Sequence, residues 1–479
     1  MYTSMNGNKK PTLSLIMPVY NSFSLARSDG ENLLPVALRS LLRQTYRDFE
    51  LVILDNQSTD DTQKICREFA AQNVCIRFVV DEQRRFAEAA IGKLAGLARG
   101  EYCMVVNDDD LWGQTYLEDV MRYMRYAHDH PDVDLVYGSL ITIDVQNTIT
   151  GVAHQSADEV YDEHAPRLFN VTRYIDKRNV IPLFFGVYKT EVFRAVLPYE
   201  DFDTLKANVD NVFMTKFFVL GYKAHYLPQT FFCYRYKNRK LHPPSFAPDM
   251  PSLDKPHALW FFYVEHQLLF AQKLMDLIGR KPFPETEMRF LRNVVMISCI
   301  QWSFKLLEWL KSELHVQNRL SELKVDDLLR IYQKGGLAED LASYPPPEAF
   351  VVSDGTVSSA HVDWWQRKTS RTVPMFLELL QYTFEQERTN DSEVFWIQIK
   401  NKLEAEMAYE RSLHIDLAQE SLVTVPSRTS FWRTMRTFAK TNVSKWFPGH
   451  KVVVRAMRNF RQWWLRLRYR SVIRYAFEK

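Results

Sequence analysis

Three consecutive carboxylates follow a short apolar run, and they are the residues best suited to bind a cation. Residues 102–106 have the composition of a buried strand, and Asn107 and then Asp108, Asp109 and Asp110 come directly after it. Adjacent carboxylates repel each other, and removing them from water is costly unless a cation or hydrogen bonds compensate. Hard oxygen ligands suit Mg²⁺ or Mn²⁺, which in turn bind diphosphates. The alternative is a solvated acidic turn before a helix, where aspartates are also favoured.

The residues upstream alternate between strand and helix patterns. Apolar runs predict strands at 13–21, 49–54 and 76–80, and the stretches between and after them predict helices at 32–44, 62–71 and 85–98. This alternation predicts right-handed crossovers and a parallel sheet that is covered on both faces. Ligands of such sheets bind outside the carboxyl ends of the strands. The predicted edge collects polar residues from three strands: Tyr20, Asn21, Asp55, Asn56, Asp108, Asp109 and Asp110.

Five short signatures in a fixed order carry a family resemblance. They are residues 18–21 (PVYN), 40–46, 50–60 and 98–102, and the aspartate cluster followed by Trp112. In these residues, roughly 11–115 with a weaker echo to about 240, the chain resembles the family 2 glycosyltransferases. These are inverting enzymes with the GT-A fold that binds nucleotide-diphosphosugars. The resemblance implies an α/β fold, a Rossmann-like mostly parallel sheet between helices, followed here by a mostly α-helical C-terminal region.

The resemblance also implies roles for individual residues at the donor site. The donor-binding residues would be Pro18, Tyr20, Asn21, Asp55, Asn56 and Asp108. Asp109, with Asp110 beside it, would hold Mn²⁺ or Mg²⁺ in a DXD-like motif. The chain departs from the family pattern at Asn107, where the first aspartate of the motif is usual, and at Gly92, where asparagine is usual. The second signature also reads Asp55-Asn56-Gln57-Ser58 instead of Asp-Asp-Gly-Ser.

An inverting displacement needs a carboxylate base that takes the proton of the acceptor hydroxyl. In the family this base is the aspartate of a Glu-Asp pair on a later helix. The matching residue is Asp210, although Val209 stands where glutamate is common. An aspartate here is also explained by the dipole of the helix N-terminus. Asp201 and Asp203 lie close by in the sequence and remain alternatives for the base.

Weaker candidates concern the diphosphate and the acceptor. Arg84 and Arg85 follow the third predicted strand, and either could pair with a diphosphate or begin a solvated helix. The same ambiguity applies to Arg235 and Lys237 later in the chain, which could also lie near the diphosphate. For the acceptor, Gly186 would allow a sugar to approach closely, and Trp112 offers an aromatic surface. Aromatic residues on strands are more often part of the core.

Composition limits the cellular setting. The five cysteines form no close CxxC pair, which predicts free buried thiols rather than a disulfide framework or a zinc site. The first ten residues lack the apolar segment of a signal peptide, and no run of about 18 apolar residues predicts a spanning helix. The sequence therefore predicts a cytoplasmic enzyme, possibly peripheral on the cytoplasmic face of a membrane.

The C-terminal tail, 427–479, differs in composition from the rest of the chain. From Arg428 onwards it holds 14 Lys and Arg residues but one acidic residue, Glu478. A narrow apolar face with helical spacing is formed by Val453, Met457, Phe460, Trp464 and Leu467. A basic amphipathic helix with tryptophan suits an anionic membrane surface. The alternatives are packing on this protein or on a second copy in a homo-oligomer and, with less support, binding of nucleic acid.

The sequence thus predicts three parts: a GT-A domain at 1–245, a helical domain at 255–425, and the basic aromatic tail. The predicted function is metal-dependent, inverting transfer of a hexose-type sugar from a nucleotide-diphosphosugar to a saccharide hydroxyl. By resemblance the donor is a UDP-sugar. The acceptor could be a growing surface polysaccharide, a lipid-linked saccharide or a protein. A cytosolic enzyme with a membrane-surface tail favours a glycan or lipid-linked acceptor in cell-surface polysaccharide synthesis. The alternatives are a nucleotidyltransferase, which would want a Gly-rich phosphate loop after the first strand, and a catalytically silent scaffold.

Overall fold

A computed structural model describes most of the first 412 residues. The described residues are 10–24, 32–85, 87–126, 133–153, 161, 163–178, 180–197, 209–235, 255–316, 337, 341, 344–386, 388 and 390–412. The predicted C-terminal tail, the alternative bases Asp201 and Asp203, and Lys237 lie outside these residues.

The first part of the chain alternates strands and helices, as its hydrophobic pattern predicts. The strands are β1 Leu13–Val19, β2 Phe49–Asp55, β3 Ile76–Val80, β4 Tyr102–Val105, β5 Leu111–Trp112, β6 Leu135–Ile143, β7 Ile149–Ala153, β8 Val187–Lys189 and β9 Ala224–Arg235. The helices are α1 Leu33–Leu42, α2 Thr62–Gln72, α3 Ala87–Leu97, α4 Tyr116–Tyr126, α5 Arg167–Lys177, α6 Val180–Phe184, α7 Thr190–Val196 and α8 Val209–Leu220. Strands β1 and β2 are almost entirely buried, as expected of strands covered on both faces.

The strands form one mixed sheet in the order β3-β2-β1-β4-β8-β6-β9-β5, with β7 paired to β6. Strands β1 to β4 pair in parallel, whereas β8 pairs antiparallel with both β4 and β6. The chain winds from β1 outwards to β3 and then returns to the other side of β1 with β4. The strand order therefore reverses between β1 and β4, the place where open α/β sheets bind ligands.

Part of the family signature supports the amino ends of these strands, far from that reversal point. The carboxylate of Glu50 accepts hydrogen bonds from the Ser14 hydroxyl at 2.7 Å and from Nε of Arg99 at 2.9 Å. Gly100 donates its N–H to the Ser14 hydroxyl at 2.8 Å. A Cβ at Gly100 would lie 2.7 Å from the Ser14 nitrogen, so only glycine allows this approach. These signature residues join three strands and have a structural role.

A mostly helical region follows the sheet. Its helices are α9 Pro256–Arg280, α10 Glu285–Val316, α11 Ser359–Gln386 and α12 Asn390–Ser412, and a 3₁₀ turn covers Pro347–Phe350. The predicted fold class, an α/β domain with a mostly parallel sheet followed by a mostly helical region, is confirmed. All five cysteines are buried and free, also as predicted. No helix in the described part of the chain is both long and apolar enough to cross a membrane.

Helix α11 begins earlier than the sequence suggests. The pattern predicts a helix only from Met375, after Pro374, but the observed helix begins at Ser359 and contains that proline. Proline removes one helical hydrogen bond and normally ends or kinks a helix. Here Thr369 and Thr372 donate their hydroxyls to the carbonyls of Trp365 and Lys368, both at 2.9 Å. Packing of the preceding turns in the core, with Val362 and Trp365 buried, explains why the helix continues.

Candidate active site

Strands β1 and β4 separate at their carboxyl ends, and the space between the turns that follow them is here called the crevice. Their pairing ends at Ile16 and Val105, whereas β1 stays paired with β2 as far as Val19 and Asp55. Pro18 lies just beyond the last pair with β4, so the backbone N–H that it lacks is not needed there. The polar residues after the two strands therefore face each other across the reversal point of the sheet. The Ser22 hydroxyl bridges the two sides by donating to Oδ2 of Asp108.

On the β2 side, Asp55 combines complete burial with one unused oxygen. Its Oδ2 accepts the Ser58 N–H at 3.1 Å and Nε2 of Gln63 at 2.9 Å. Its Oδ1 is buried and accepts no hydrogen bond from the residues that the structure describes. A buried carboxylate oxygen without a donor is costly, and it is a natural acceptor for a ligand N–H or hydroxyl.

Asn21 and the second signature hold each other in place. Asn21 has a positive φ of 48°, a backbone region in which asparagine is enriched. Its N–H donates to Oγ of Ser58 at 2.9 Å, and its side-chain oxygen accepts the N–H of Thr59 at 2.8 Å. The structure thus gives Asn21 a positioning role within this edge. It fixes the turn after β1 against the turn after β2.

Both the side chain and the backbone of Arg85 make hydrogen bonds within the protein. Its Nε donates to Oδ2 of the buried Asp81 at 2.9 Å, and Lys93 donates to the other oxygen at the same distance. Burial alone would raise the pKa of Asp81, but hydrogen bonds from Lys93, the Gln83 amide and Arg85 outweigh it and lower the pKa. The backbone of Arg85 is also held, because its N–H donates to Oδ1 of Asn56 at 2.7 Å and its carbonyl accepts from the same side chain. Arg85 and Asn56 together shape the 81–85 loop.

Arg84, in contrast, points toward the crevice. Its guanidinium carbon lies 4.4 Å from the centre of the Tyr20 ring, a cation–π distance. The side chain is exposed, and no carboxylate among the described residues pairs with it. The structure therefore favours Arg84 over Arg85 as the cation available to a ligand.

Asp108, Asp109 and Asp110 differ in their surroundings. Asp108 is partly exposed at the crevice, and Asp109 is buried. Both oxygens of the fully buried Asp110 accept hydrogen bonds, one from Nδ2 of Asn107 at 2.8 Å and one from the Arg235 N–H at 2.7 Å. Asp110 is fully buried and held by these two hydrogen bonds, so it is less accessible to a metal ion than the partly exposed Asp108. The assignment of Asp110 as a metal ligand stays a prediction, and the surroundings favour Asp108 and Asp109.

Arg235, at the end of β9, holds in place the loop of residues 107–110, which is called the aspartate loop. Besides its N–H contact with Asp110, its Nε donates to the carbonyl of Asp109 at 2.8 Å and its Nη1 to the carbonyl of Asp144 at 2.6 Å. The guanidinium is buried, so it positions the loop from behind and is not presented to a diphosphate. Sequence reasoning missed this role, and the only signal was a basic residue at the end of a predicted strand.

The donor set fits a magnesium-type ion but not a complete protein cage. No group of three or more His, Cys, Asp or Glu side chains in the described part of the chain could hold a metal ion. Magnesium is commonly bound by one or two carboxylates together with substrate phosphates and water. Asp108 and Asp109 supply that number of carboxylates, so the residues present fit a metal that arrives with a diphosphate.

Asp210 lies in the first turn of α8, where sequence reasoning placed the base. Its Oδ1 accepts the N–H of Asn211 at 2.8 Å, and Tyr174 on α5 donates to the Asn211 side chain at 3.1 Å. Its Oδ2 accepts no hydrogen bond from the described residues. Burial raises the pKa of Asp210, and hydrogen bonds from Asn211 only partly oppose that effect. A carboxylate with a raised pKa and a free oxygen is suited to accept a proton.

Aromatic packing connects α8 with the aspartate loop. Phe213 of α8 contacts Phe184, with ring centres 5.6 Å apart. The next residue, Phe185, contacts Phe232 and Tyr234 of β9 at 5.8 and 6.2 Å. No hydrogen bond joins Asp210 to the aspartate loop directly. The aromatic contacts thus connect α8, through Phe184 and Phe185, with the strand that ends in Arg235.

The two acceptor candidates are core positions. A Cβ at Gly186 would lie 2.4 Å from Cδ1 of Leu135 and 2.8 Å from the Val136 carbonyl, so close packing against β6 explains the glycine. Trp112 is 2% exposed and stacks on Phe232 at 6.2 Å. Packing therefore accounts for both residues, and neither offers a surface to a sugar in this conformation.

Comparisons with known proteins agree with this geometry. The family model described as Glycosyl transferase family 2 matches residues 14–196. Glycosyltransferase GlyG of Streptococcus pneumoniae serotype 4 is 24% identical over 228 residues, which are 47% of this chain and 70% of GlyG. The putative teichuronic acid biosynthesis glycosyltransferase TuaG of Bacillus subtilis is 32% identical over 117 residues, 24% of this chain and 43% of TuaG. The chain thus spans less than half of TuaG.

Solved structures also align with the chain. S. aureus TarS 1-349 in complex with UDP aligns with a TM-score of 0.45 and 14% identity, over 84% of this chain and 92% of that one. The mannosyltransferase PcManGT from Pyrobaculum calidifontis, in complex with GDP-Man and Mn²⁺, has a TM-score of 0.40 and 14% identity, over 81% and 88%. The family match itself covers β1 to α7 and includes both sides of the crevice. Residues 14–196 are therefore similar to a family 2 glycosyltransferase domain.

Proposed function

We propose that this protein is a metal-dependent inverting glycosyltransferase that transfers a sugar from a UDP-sugar to a saccharide hydroxyl. The observation that carries the proposal is the crevice at the sheet reversal, with Asp55 on one side and Asp108 and Asp109 on the other. A glycan or lipid-linked saccharide in cell-surface polysaccharide synthesis is the proposed acceptor. The names of relatives such as TuaG support this class of pathway. The proposed location is the cytoplasm or the cytoplasmic face of a membrane.

The donor would lie along the β1 side of the crevice. The unused Oδ1 of Asp55 would accept a donor from the base, and Pro18 and Tyr20 would form the adjoining surface. Asp108, partly exposed beside Ser22, would receive the ribose. Asn21 and Asn56 contribute by holding the surrounding turns. Binding is thus distributed over residues that the fold already keeps in place, which lowers the entropy lost on binding.

Transfer needs a base on one side of the sugar and charge neutralisation on the other. Asp210 would take the proton of the acceptor hydroxyl on its free Oδ2. Asp109, helped by Asp108, would hold Mg²⁺ or Mn²⁺, which when bound neutralises charge on the departing diphosphate. Arg235 and Asp110 keep Asp109 in position through the hydrogen bonds to the loop. Arg84 would add a positive charge at the diphosphate.

A thermal-shift experiment on the full chain tests the proposal. UDP is expected to raise the melting temperature in the presence of Mn²⁺ or Mg²⁺, because a ligand that binds only the native state stabilises it by mass action. Uridine and each metal ion alone are the controls, and GDP and a panel of nucleotide sugars identify the base and the sugar. If no nucleotide produces a shift with any metal, the proposal fails and the silent scaffold becomes the better description.

The two neighbouring arginines give a matched pair of variants. Arg84→Ala is expected to weaken UDP binding about 10-fold or more, because a charge-assisted contact to a phosphate contributes roughly 1.5–3 kcal/mol. Binding of uridine should change much less, and Arg84→Lys should recover part of the UDP affinity. Arg85→Ala should instead lower stability through loss of its contact with Asp81. Titration calorimetry with UDP and uridine measures both, and equal UDP affinity in Arg84→Ala and the wild type would exclude Arg84.

A further inference from the structure

The carboxylate of Asp210 is held by the residue that follows it. Its Oδ1 accepts two hydrogen bonds from Asn211, one from the backbone N–H at 2.8 Å and a longer one from Nδ2 at 3.3 Å. Because both donors act on the same oxygen, they restrict rotation of the carboxylate and leave Oδ2 for an incoming proton. Asp210 is half-buried, so a substrate hydroxyl can still reach it.

Tyr174 determines which way the Asn211 amide points. Its hydroxyl donates to Oδ1 of Asn211 at 3.1 Å. An amide accepts through its oxygen and donates through its nitrogen, so a donor at the oxygen turns the nitrogen toward Asp210. With the amide reversed, its oxygen would face Oδ1 of Asp210, and two acceptors would repel each other. The three side chains therefore form a relay from Tyr174 through Asn211 to Asp210.

The first member of the relay is fixed by packing. Tyr174 is 1% exposed, and its ring contacts Tyr161 at 6.1 Å and Phe218 of α8 at 5.4 Å between ring centres. Burial, and after it the charge of Asp210, raises the pKa of Tyr174 well above its ordinary value. The phenol therefore keeps its proton and stays a donor over the whole range in which a carboxylate titrates.

The helical region holds α5 just beyond Tyr174. Ser298 of α10 donates its hydroxyl to the Ile175 carbonyl at 2.7 Å. Arg178 follows the last residue of α5 with a positive φ of 46° and buries its side chain. Its guanidinium donates to Ser298 at 3.3 Å and to Gln267 of α9. The position of Tyr174 thus depends on the helical region as well as on the α/β domain.

Two opposing effects act on the proton affinity of Asp210. Burial raises its pKa, and the hydrogen bonds from the backbone and side chain of Asn211 lower it. Hydrogen bonds to a carboxylate favour its charged form, so Asn211 limits the effect of burial. Among the described residues, no charged side chain adds to these causes.

Other charged groups near α8 have partners elsewhere. The helices packed on α8 include α5, α6, α7 and α9, and α6 carries no ionisable residue. Glu191 of α7 is exposed. Charged side chains that pair or hydrogen bond with other groups are Arg173, Asp176, Lys177 and Arg178 in and after α5, Arg194 of α7 and Glu265 of α9. Burial and Asn211 therefore remain as the groups that set the proton affinity of Asp210.

From these contacts we infer that Asn211 and Tyr174 are positioning residues, which set the orientation and the proton affinity of Asp210. Asn211 acts on the carboxylate directly, and Tyr174 acts through Asn211. That the relay serves sugar transfer rests on the proposed function, but the relay itself does not. It also gives the helical region a part in the reaction, because that region holds the helix that carries Tyr174.

Titration of Asp210 by NMR tests the inference and needs no activity. In the full chain labelled with ¹³C at the aspartate carboxyl groups, the signal that is missing from Asp210→Asn identifies the residue. Asn211→Ala keeps the backbone donor and removes Nδ2. It is expected to move the titration midpoint of Asp210 upward by about one pH unit, since one hydrogen bond to the charged form is lost. Tyr174→Phe keeps the ring packing and should move the midpoint in the same direction by a smaller amount.

Two comparisons separate positioning from packing. Tyr188→Phe is the matched control, because it also removes a buried hydroxyl from a ring packed on α8, but this hydroxyl donates to the Leu183 carbonyl at 2.8 Å. It should leave the midpoint unchanged. In the Asn211→Ala background, Tyr174→Phe should cause no further shift, because residues that act through one another have non-additive effects. In single-turnover transfer, the midpoint of the acid limb should shift in the same way.

Two results would overturn the inference: wild-type midpoints in both Asn211→Ala and Tyr174→Phe, or a shift in Tyr188→Phe as large as the one in Tyr174→Phe. UDP affinity, measured on the same samples, should be unchanged and shows that each variant is folded. Failure of the proposed function has a different signature. A shifted Asp210 titration with an unshifted pH profile of transfer would support the relay and remove Asp210 as the base.

Discussion

Asp210→Asn is expected to lower the rate of sugar transfer about 10²–10⁴-fold, the usual contribution of a general base. Asparagine keeps the shape of the side chain and can still accept the Asn211 N–H through its oxygen. It cannot take a proton from the acceptor. UDP affinity should be unchanged, because Asp210 lies on α8 and makes no hydrogen bond to the aspartate loop. Single-turnover transfer and UDP calorimetry separate these two effects.

The control is Asp119→Asn, which removes a carboxylate from the first turn of another helix, α4. If this variant loses as much transfer as Asp210→Asn, the helix N-terminus and not the base role explains the effect. Full transfer by Asp210→Asn would remove Asp210 from the mechanism and return attention to Asp201 and Asp203.

The raised pKa of Asp210 also has a consequence for stability. Because burial raises its pKa, the folded state binds this proton more tightly than the unfolded state does. Its contribution to stability is present at acid pH and is lost as the pH rises through the folded-state pKa. Asp210→Asn should therefore melt at a higher temperature than the wild type at neutral pH, and the difference should vanish at acid pH. In the pH profile of the transfer rate, the midpoint of the acid limb should lie at a higher pH than the ordinary pKa range of an aspartate.

The α/β half of the fold could be predicted because its signals are local. Each of the first three strands is an apolar run bounded by polar or turn residues, and the observed strands agree with the predicted bounds to within two residues. Alternation with amphipathic helices then restricts the topology to a parallel core, which places the polar ends of β1, β2 and β4 on one edge. The strand pattern alone was therefore sufficient to predict that Asp55, Asn56 and Asp108 lie at the same edge of the sheet.

The roles within that edge could not be predicted, because they depend on contacts between distant residues. One of the two hydrogen bonds to Asp110 comes from Arg235, which lies 125 residues later in the sequence. Whether Arg84 or Arg85 is available to a ligand depends on which of the two side chains contacts Asp81. The sequence pattern does not show in which direction each side chain points. In the sequence, Gly186 resembles a glycine of an acceptor site. In the structure, glycine is required there because β6 packs too closely for a Cβ. Tertiary packing likewise carries α11 through Pro374.

Asp109→Asn is expected to abolish the metal-dependent part of UDP binding and to lower transfer on the order of 10²–10³-fold. A bound metal supplies several kcal/mol of charge stabilisation at the diphosphate, and each 1.36 kcal/mol is a factor of ten in rate. The substitution keeps the volume of this buried side chain, so stability in the absence of ligand should change little. Mn²⁺ titrations of the UDP thermal shift measure the effect directly.

Asp110→Asn is the matched control, since it makes the same chemical change one residue later. Here the new amide nitrogen would face either Nδ2 of Asn107 or the N–H of Arg235, so one buried donor loses its acceptor. The expected cost is about 1–3 kcal/mol of unfolding free energy. Metal-dependent UDP binding should persist in the folded fraction. The opposite result would identify Asp110 as the metal ligand. In that case Asp110→Asn would be stable but its UDP thermal shift would not depend on Mn²⁺, whereas the shift of Asp109→Asn would.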